Sequence, residues 1–567
     1  MFFPRIPDII LERVTLFTIS ILITPLQNHH MNLKQPLQVV DLFAGPGGLG
    51  EGFSSLNEGS SFQVIVSAEM DPHARSTLRL RAFYRALKER NPAALSDYYN
   101  YCESPEVRQP WSDRSRAQWV EADDEARQIR LGSPEGNAEL DRILEQKLDT
   151  SRPWVLIGGP PCQAYSIVGR ARNKGNSEYK AEDDQRHFLY REYLRIIQSK
   201  RPAIFIMENV KGILSSQVGG EKIFPQILRD LADPDLALGF TGADKPKYKI
   251  CSLVSEDVYE SGTDPHSINL NNFVIRSEEY GIPQNRHRVI LVGVSEDFAG
   301  QLSGFKLKTK SSPTVGEMIK GLPKLRSTLS RGRDTADVWC GEVLSHLDDL
   351  HRSLVARGGD PLLEKKIEIV RTSFSGARYT NGALRLSKGV GSNNQFEDPL
   401  LEKWFNDKNL SVWLNHEARS HMTSDLKRYV YASIFADAHK ASPKGHKEFD
   451  LPGLAPDHKN WETGKFSDRF RVQVEGQASS TITSHISKDG HYFIHYDPHQ
   501  CRSLTVREAA RLQTFPDNYF FLGNRTQQFH QVGNAVPPLL AHQIAEVVER
   551  MINGNRSKNQ RTPTAIS

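Results

Sequence analysis

The apolar run Trp154-Val-Leu-Ile157 stops in Gly158-Gly-Pro-Pro161, and Cys162 follows at once. Consecutive prolines donate no backbone hydrogen bond and lock φ, so neither a strand nor an ordinary helix can continue through them. Residues 154–157 are therefore predicted to be a buried strand of an α/β sheet, with Cys162 on a rigid turn at its carboxyl end. Open α/β sheets bind their ligands along that edge. A single cysteine is ordinarily a small core hydrophobe. Here the prolines before it and the polar, glycine-containing loop after it argue against burial.

Other segments fit the same sheet. Leu37-Gln-Val-Val-Asp-Leu-Phe43 is a short apolar strand that runs into Ala44-Gly-Pro-Gly-Gly-Leu-Gly50 and then into a helix. Strand, glycine turn and helix in that order let a backbone approach a ligand closely. The next strand, residues 62–68, ends in Glu69-Met70-Asp71, where a carboxylate can accept two hydrogen bonds from vicinal ribose hydroxyls. Helical stretches are read around residues 82–88, 140–148 and 187–200, the last with Leu189, Tyr193, Leu194 and Ile197 at helical spacing. Residues 202–207 form another buried strand, ending in Glu208-Asn209-Val210. Residues 248–254 and 272–275 read as further strands. In Gln284-Asn-Arg286-His-Arg288 the alternation points three polar groups to one face of an incoming strand, a set not expected in a core.

Taken together, Asp41-Leu-Phe-Ala-Gly-Pro-Gly-Gly-Leu49, Pro160-Pro-Cys-Gln163, Glu208-Asn-Val210, Gln284-x-Arg286-x-Arg288, residues 502–517 and Gln531-Val-Gly-Asn-Ala-Val-Pro537 resemble, in order, the motifs of the DNA cytosine-5 methyltransferases. The resemblance spans residues 37–295 and 501–552. It implies an S-adenosylmethionine-dependent, Rossmann-like mixed sheet with a smaller, loop-rich target-recognition domain. It also implies that Phe43, Ala44, Gly45, Gly47, Gly48, Glu69, Met70, Pro160, Asn534 and Ala535 bind S-adenosylmethionine, with Phe43 on the adenine and Glu69 on the ribose. Cys162, Glu208, Arg286 and Arg288 become the catalytic set, and Gln163, Ser166 and Gln284 the substrate contacts. S-adenosylhomocysteine is the expected product, and no metal is expected. The family's acid near the adenine amino group is unassigned, with Asp123 and Asp124 as candidates.

Domain boundaries follow the motifs: a catalytic part over residues 35–300, a target-recognition domain over 301–500, a returning segment over 501–553, and a disordered tail over 554–567. Thr505 is expected to cap a helix that Pro516 ends. Between 301 and 500 the periodicity weakens. A basic run there, including Lys306, Lys310, Lys324, Arg326, Arg331 and Arg333, is what a base-reading surface requires. His416 and His421 lack the supporting ligands of a metal site. The basic loop Gly169 to Gly175 reads as a lid closing on a phosphate backbone.

A net charge of only +4 over 567 residues confines nucleic-acid binding to local patches. Five scattered cysteines suit a reducing cytosol. The apolar stretch within residues 9–26 carries Glu12, Arg13 and Pro25, too broken for a membrane span; residues 1–30 are read as a dispensable extension. A cytoplasmic monomer acting on double-stranded DNA is expected, with a cognate restriction endonuclease encoded nearby. The alternatives are an RNA cytosine-5 methyltransferase built on the same motifs and a non-catalytic, methyltransferase-derived DNA-binding regulator.

Overall fold

A computed structural model of the chain describes residues 35–161, 186–218, 220–240, 245–300, 302, 304–374, 379–389, 396–457, 461 and 469–559. Cys162, Gln163, Ser166, the 169–175 loop and residues 1–30 lie outside the described residues.

Chain order begins β1 (Leu37–Leu42), α1 (Gly48–Ser54), β2 (Phe62–Glu69), α2 (Pro72–Arg90), α3 (Ser96–Glu103), α4 (Arg116–Glu125), β3 (Ala126–Gln128), α5 (Pro134–Lys147) and β4 (Trp154–Gly158). It continues with α6 (Arg186–Lys200), β5 (Ile204–Val210), α7 (Ile223–Ala232), β6 (Tyr248–Cys251), β7 (Val258–Tyr259), β8 (Val274–Arg276) and β9 (His287–Ser295). The strands form one mixed sheet in the order β3-β2-β1-β4-β5-β9-β6-β7, with β8 also paired to β9. The first five are parallel and β9 runs antiparallel to β5. Strand order reverses between β1 and β4, where Leu42 lies beside Gly158. The helix that follows β1 packs on one face and the helix that follows β4 on the other, the topology at which open α/β sheets place their ligands.

Local chemistry sets the elements. Asp71 caps α2 by accepting from the His73 and Ala74 amides, with Pro72 at the first helical position. Ser133 and Pro134 begin α5 the same way. The central strands are apolar on both sides because both faces are covered. One face packs Val40, Leu156, Phe205 and Leu291 against Ile143, Tyr193, Ile197 and Leu228 of α5 to α7. The other packs Val39, Ile157, Ile206 and Val292 against Phe53 of α1 and Leu540, Ile544 and Val548 of a C-terminal helix.

Past residue 300 the chain differs from the sequence expectation. Phe305 and Leu307 still pack on the sheet core, so the catalytic packing does not stop at 300. The region then builds α8 (Ala336–Arg357), α9 (Pro361–Ser373), the paired strands β10 (Gly382–Ser387) and β11 (Val412–Glu417), and α10 (Thr423–His439). Trp339, Leu347, Leu350, Ile367, Tyr429 and Val430 give these helices a core of their own. The returning segment is α11 (Val506–Leu512), α12 (Arg525–Asn534) and α13 (Pro538–Asn559). Its first half shares a core with Val315, Met318, Ile482 and Phe493, and only α13 completes the sheet layer. α13 runs to Asn559. Residues from Pro36 onward form one compact unit. Among the described residues no helix is long and apolar enough to cross a membrane.

Candidate active site

The turn after β1 is shaped by close approach. Gly47 takes φ +94°, a left-handed conformation that caps α1. At Gly48 a Cβ would stand 2.1 Å from the Val536 carbonyl oxygen, so no side chain fits. Phe43 is held at φ +57° and is half-buried, a strained backbone position of the kind found at ligand sites. The Glu69 carboxylate reaches across from β2: Oε2 accepts from the Gly45 amide at 2.8 Å and Oε1 from the Asp71 amide at 2.8 Å. Burial raises its pKa, and those two amides oppose the rise. A carboxylate has about four lone-pair sites, so each oxygen retains capacity for a ligand hydroxyl. Above Gly45 there is open space, and Ala44 is half-buried beside it while Met70 is exposed. Asn534 is exposed at the end of α12, two residues before Val536 touches Gly48, and Ala535 is buried. A recess with a half-exposed ring, a glycine floor and a carboxylate of this kind fits an adenosine bearing vicinal hydroxyls.

One strand away, Asn209 donates to the Pro160 carbonyl at 3.2 Å and holds the Gly-Gly-Pro-Pro turn. Glu208 lies against the same turn, its Oε2 3.0 Å from where a Gly159 Cβ would be. Arg288 Nε stands 2.9 Å from Glu208 Oε1, and both side chains keep about an eighth of their surface open. Burial lowers the Arg288 pKa and the Glu208 charge opposes it. The described chain reaches Pro161, one residue before Cys162. A carboxylate and a guanidinium are thus paired beside the turn that leads into the expected nucleophile.

Gln284 and Arg286 do not join them. The chain bends between a two-residue bridge at Gln284–Asn285 and β9, which breaks the alternation that would set all three side chains on one face. Gln284 has no exposed surface; it donates to the Leu512 carbonyl and the Gln513 side chain and accepts from the Ile482 amide. Arg286 is equally enclosed, donating to the carbonyls of Ile482 and Gly533. Burial, then the Arg288 charge, works against its charged form. The expectation that these two lie outside the core is therefore corrected: they tie the sheet to the returning segment.

His416 and His421 are also buried, bonded to Thr505 and the Pro323 carbonyl and to Ser503 respectively. Asp123 and Asp124 precede β3, on the side away from the ligand edge, and pair with Arg75, Arg79, Arg127 and Lys147. Four of the basic residues named above are paired with acids: Lys306, Lys310, Lys324 and Arg326 with Glu256, Asp398, Asp497 and Asp334. Sequence reading missed the contribution of Asn209, whose signal was its place directly after Glu208 at a strand end.

Comparison with known proteins identifies the family. Residues 129–239, 269–347 and 371–550 match the family model described as C-5 cytosine-specific DNA methylase. The type II methyltransferase M.Bpa9945I of Bacillus paralicheniformis is 31% identical over 534 residues, covering 91% of this chain and 99% of that protein. The type II methyltransferase M.AgeI of Thalassovita gelatinovora is 25% identical, covering 91% and 100%. The DNA (cytosine-5-)-methyltransferase M.ApeKI of Aeropyrum pernix is 27% identical, covering 70% and 81%.

Proposed function

The chain belongs to the C-5 cytosine-specific DNA methylases, and from that premise we propose that it methylates carbon 5 of a cytosine flipped out of a specific duplex sequence, through a covalent adduct with Cys162. The type II relatives support a role in protecting DNA within a restriction–modification system.

Carbon 5 of cytosine is a poor nucleophile. Addition of a thiolate to carbon 6 makes it enamine-like, and Cys162 is the thiol the sequence offers for that step. A free thiol has a pKa of about 8.5 and needs positive surroundings to ionise; Arg288 and the basic residues after Gly169 are the nearest sources in fold or sequence. Glu208 would bond the ring nitrogen and amino group, stabilising the charge that develops as carbon 6 is attacked. Arg288 would hold the base carbonyl, from its place beside Glu208. Once carbon 5 carries the new methyl group, transfer of its proton to a base such as water expels the thiolate from carbon 6 and restores the ring. S-adenosylmethionine, when bound, supplies an electrophilic methyl group; Phe43, the Ala44 to Gly48 backbone, Glu69 and the chain before Val536 would hold it. The target atom is hidden in a stacked duplex, so the base must leave the stack at a cost of a few kcal/mol.

The observation that carries this reading is the Glu208–Arg288 pair packed on the Gly159-Pro160 turn, next to the glycine turn at the sheet's switch point. Expressing the protein in a methylation-free host and sequencing the modified bases tests it. Carbon 5 methylation at one recurrent duplex sequence is expected. Unmodified DNA, or methylated transfer RNA alone, would refute it.

A further inference from the structure

The glycine turn is held from outside by a residue that no motif of the sequence reading marked. Pro46 is buried, so its carbonyl oxygen needs a donor. That donor is the Tyr519 hydroxyl, which arrives from the returning segment nearly five hundred residues later in the chain. Tyr519 is itself 1% exposed, and its ring is fixed by Phe515 and Phe521 at centroid distances of 4.8 and 5.3 Å. The Arg81 guanidinium lies 4.9 Å from the ring centroid; Arg81 also binds Glu51 of α1 and the Asn518 side chain. The hydroxyl oxygen stands only 3.1 Å from where a Gly47 Cβ would be. Pro46 sits between Gly45, whose amide binds Glu69, and Gly47, which begins α1. Its carbonyl lies in the peptide joining Pro46 to Gly47, and the proline ring restricts rotation toward Gly45, so holding that carbonyl restrains the turn.

We propose that Tyr519 is a positioning residue for cofactor binding, acting by its hydroxyl bond to Pro46 and touching no reactant. This rests on the reading of residues 43–48 and Glu69 as the cofactor site. Glycines make this turn permissive, so without an external hydrogen bond it samples conformers in which Gly45 and Glu69 separate. A site that is competent for only part of the time binds in proportion to that fraction. Burial raises the Tyr519 pKa, so the hydroxyl keeps the proton it donates.

Tyr519→Phe removes one oxygen and leaves the ring packing intact. We expect the Kd for S-adenosylhomocysteine, measured by calorimetry, to rise about tenfold, the scale of one lost buried hydrogen bond. The KM for S-adenosylmethionine rises by the same factor, while kcat and the KM for DNA stay within about twofold. Tyr248→Phe is the control: it deletes an equally buried hydroxyl bond, to the Pro202 carbonyl in the sheet core, and leaves cofactor binding unchanged. Glu69→Ala separates the two layers of the claim. If Glu69→Ala binds S-adenosylhomocysteine like the unaltered protein, the placement of the cofactor site is wrong. If Glu69→Ala weakens binding and Tyr519→Phe does not, the positioning role is overturned. An equal rise in both KM values for Tyr519→Phe would also overturn it, because that is general loosening.

Discussion

Gly48 has no room for a methyl group, since Val536 presses its carbonyl oxygen into the space. Gly48→Ala is expected to cost about 1–3 kcal/mol, the usual scale of overpacking, and to abolish S-adenosylhomocysteine binding, as read by thermal melting and calorimetry. The two arginines of Gln284-Asn-Arg286-His-Arg288 should separate cleanly. Arg288→Lys keeps the fold and lowers kcat about 10²-fold, the scale for losing one oriented donor. Arg286→Lys lowers the melting temperature first, because its partners are the buried carbonyls of Ile482 and of Gly533 in the returning segment. That difference was not legible in the alternation, which assumes a regular strand where the chain bends after Asn285. Glu208 was legible because a buried apolar strand ended on it. A residue-scale pH effect follows from two buried imidazoles. Burial pushes His416 and His495 down to about 4, whereas an unfolded histidine titrates near 6.5. Between those values the unfolded chain binds more protons, so the stability they contribute is complete above about pH 6.5 and is lost as the pH falls toward 4. The melting temperature should drop between about pH 7 and about pH 5, and His416→Gln should make that drop shallower.

At the scale of elements, the returning segment is where sequence and structure differ most. Thr505 caps α11 as expected, with Glu508 completing a capping box, and the apolar face of α11 was readable from Ala509, Ala510 and Leu512. The arginines between them were not readable as core. Arg502, Arg507 and Arg511 have no exposed surface and are met by Glu508, Asp517 and the carbonyls of Leu414, Pro516 and Met318. A hydropathy pattern places such residues outside, because it carries nothing of the carboxylates and carbonyls that meet them, Leu414 and Met318 being far away in sequence. The helices α8 to α10 were missed for another reason. Their stop and start signals, Gly358 at φ +61° and Asp360 capping α9 with Pro361, were present but sat in a stretch weak in overall period. Leu540, Ile544 and Val548 of α13 form part of the sheet's core. A chain truncated after residue 500 is therefore expected to lack cooperative unfolding in near-ultraviolet circular dichroism; a native-like melt would contradict this packing.

For the whole molecule, the strands β1, β2, β4 and β5 were legible, since each ran into a glycine, proline or acidic signal; β3, β7 and the strand order were not. Domain limits were less so. Contacts such as Arg385 to the carbonyls of Tyr101 and Cys102 bind β10 to α3, and the two regions share cores. A net charge of +4 makes DNA binding a matter of local phosphate contacts. Affinity for duplex DNA should fall by about 10³-fold or more between about 50 and about 200 mM salt, as fluorescence anisotropy would show. The central claim is that the strand-end turn presents a nucleophile to an extruded cytosine beside Glu208 and Arg288. Duplex DNA carrying 5-fluorocytosine at the recognised position cannot lose its carbon 5 substituent after methylation, so the adduct should persist. Denaturing electrophoresis with S-adenosylmethionine present should show a covalent protein–DNA band, absent for Cys162→Ala. A Cys162→Ala protein that still forms the band, or still methylates DNA, would contradict the account.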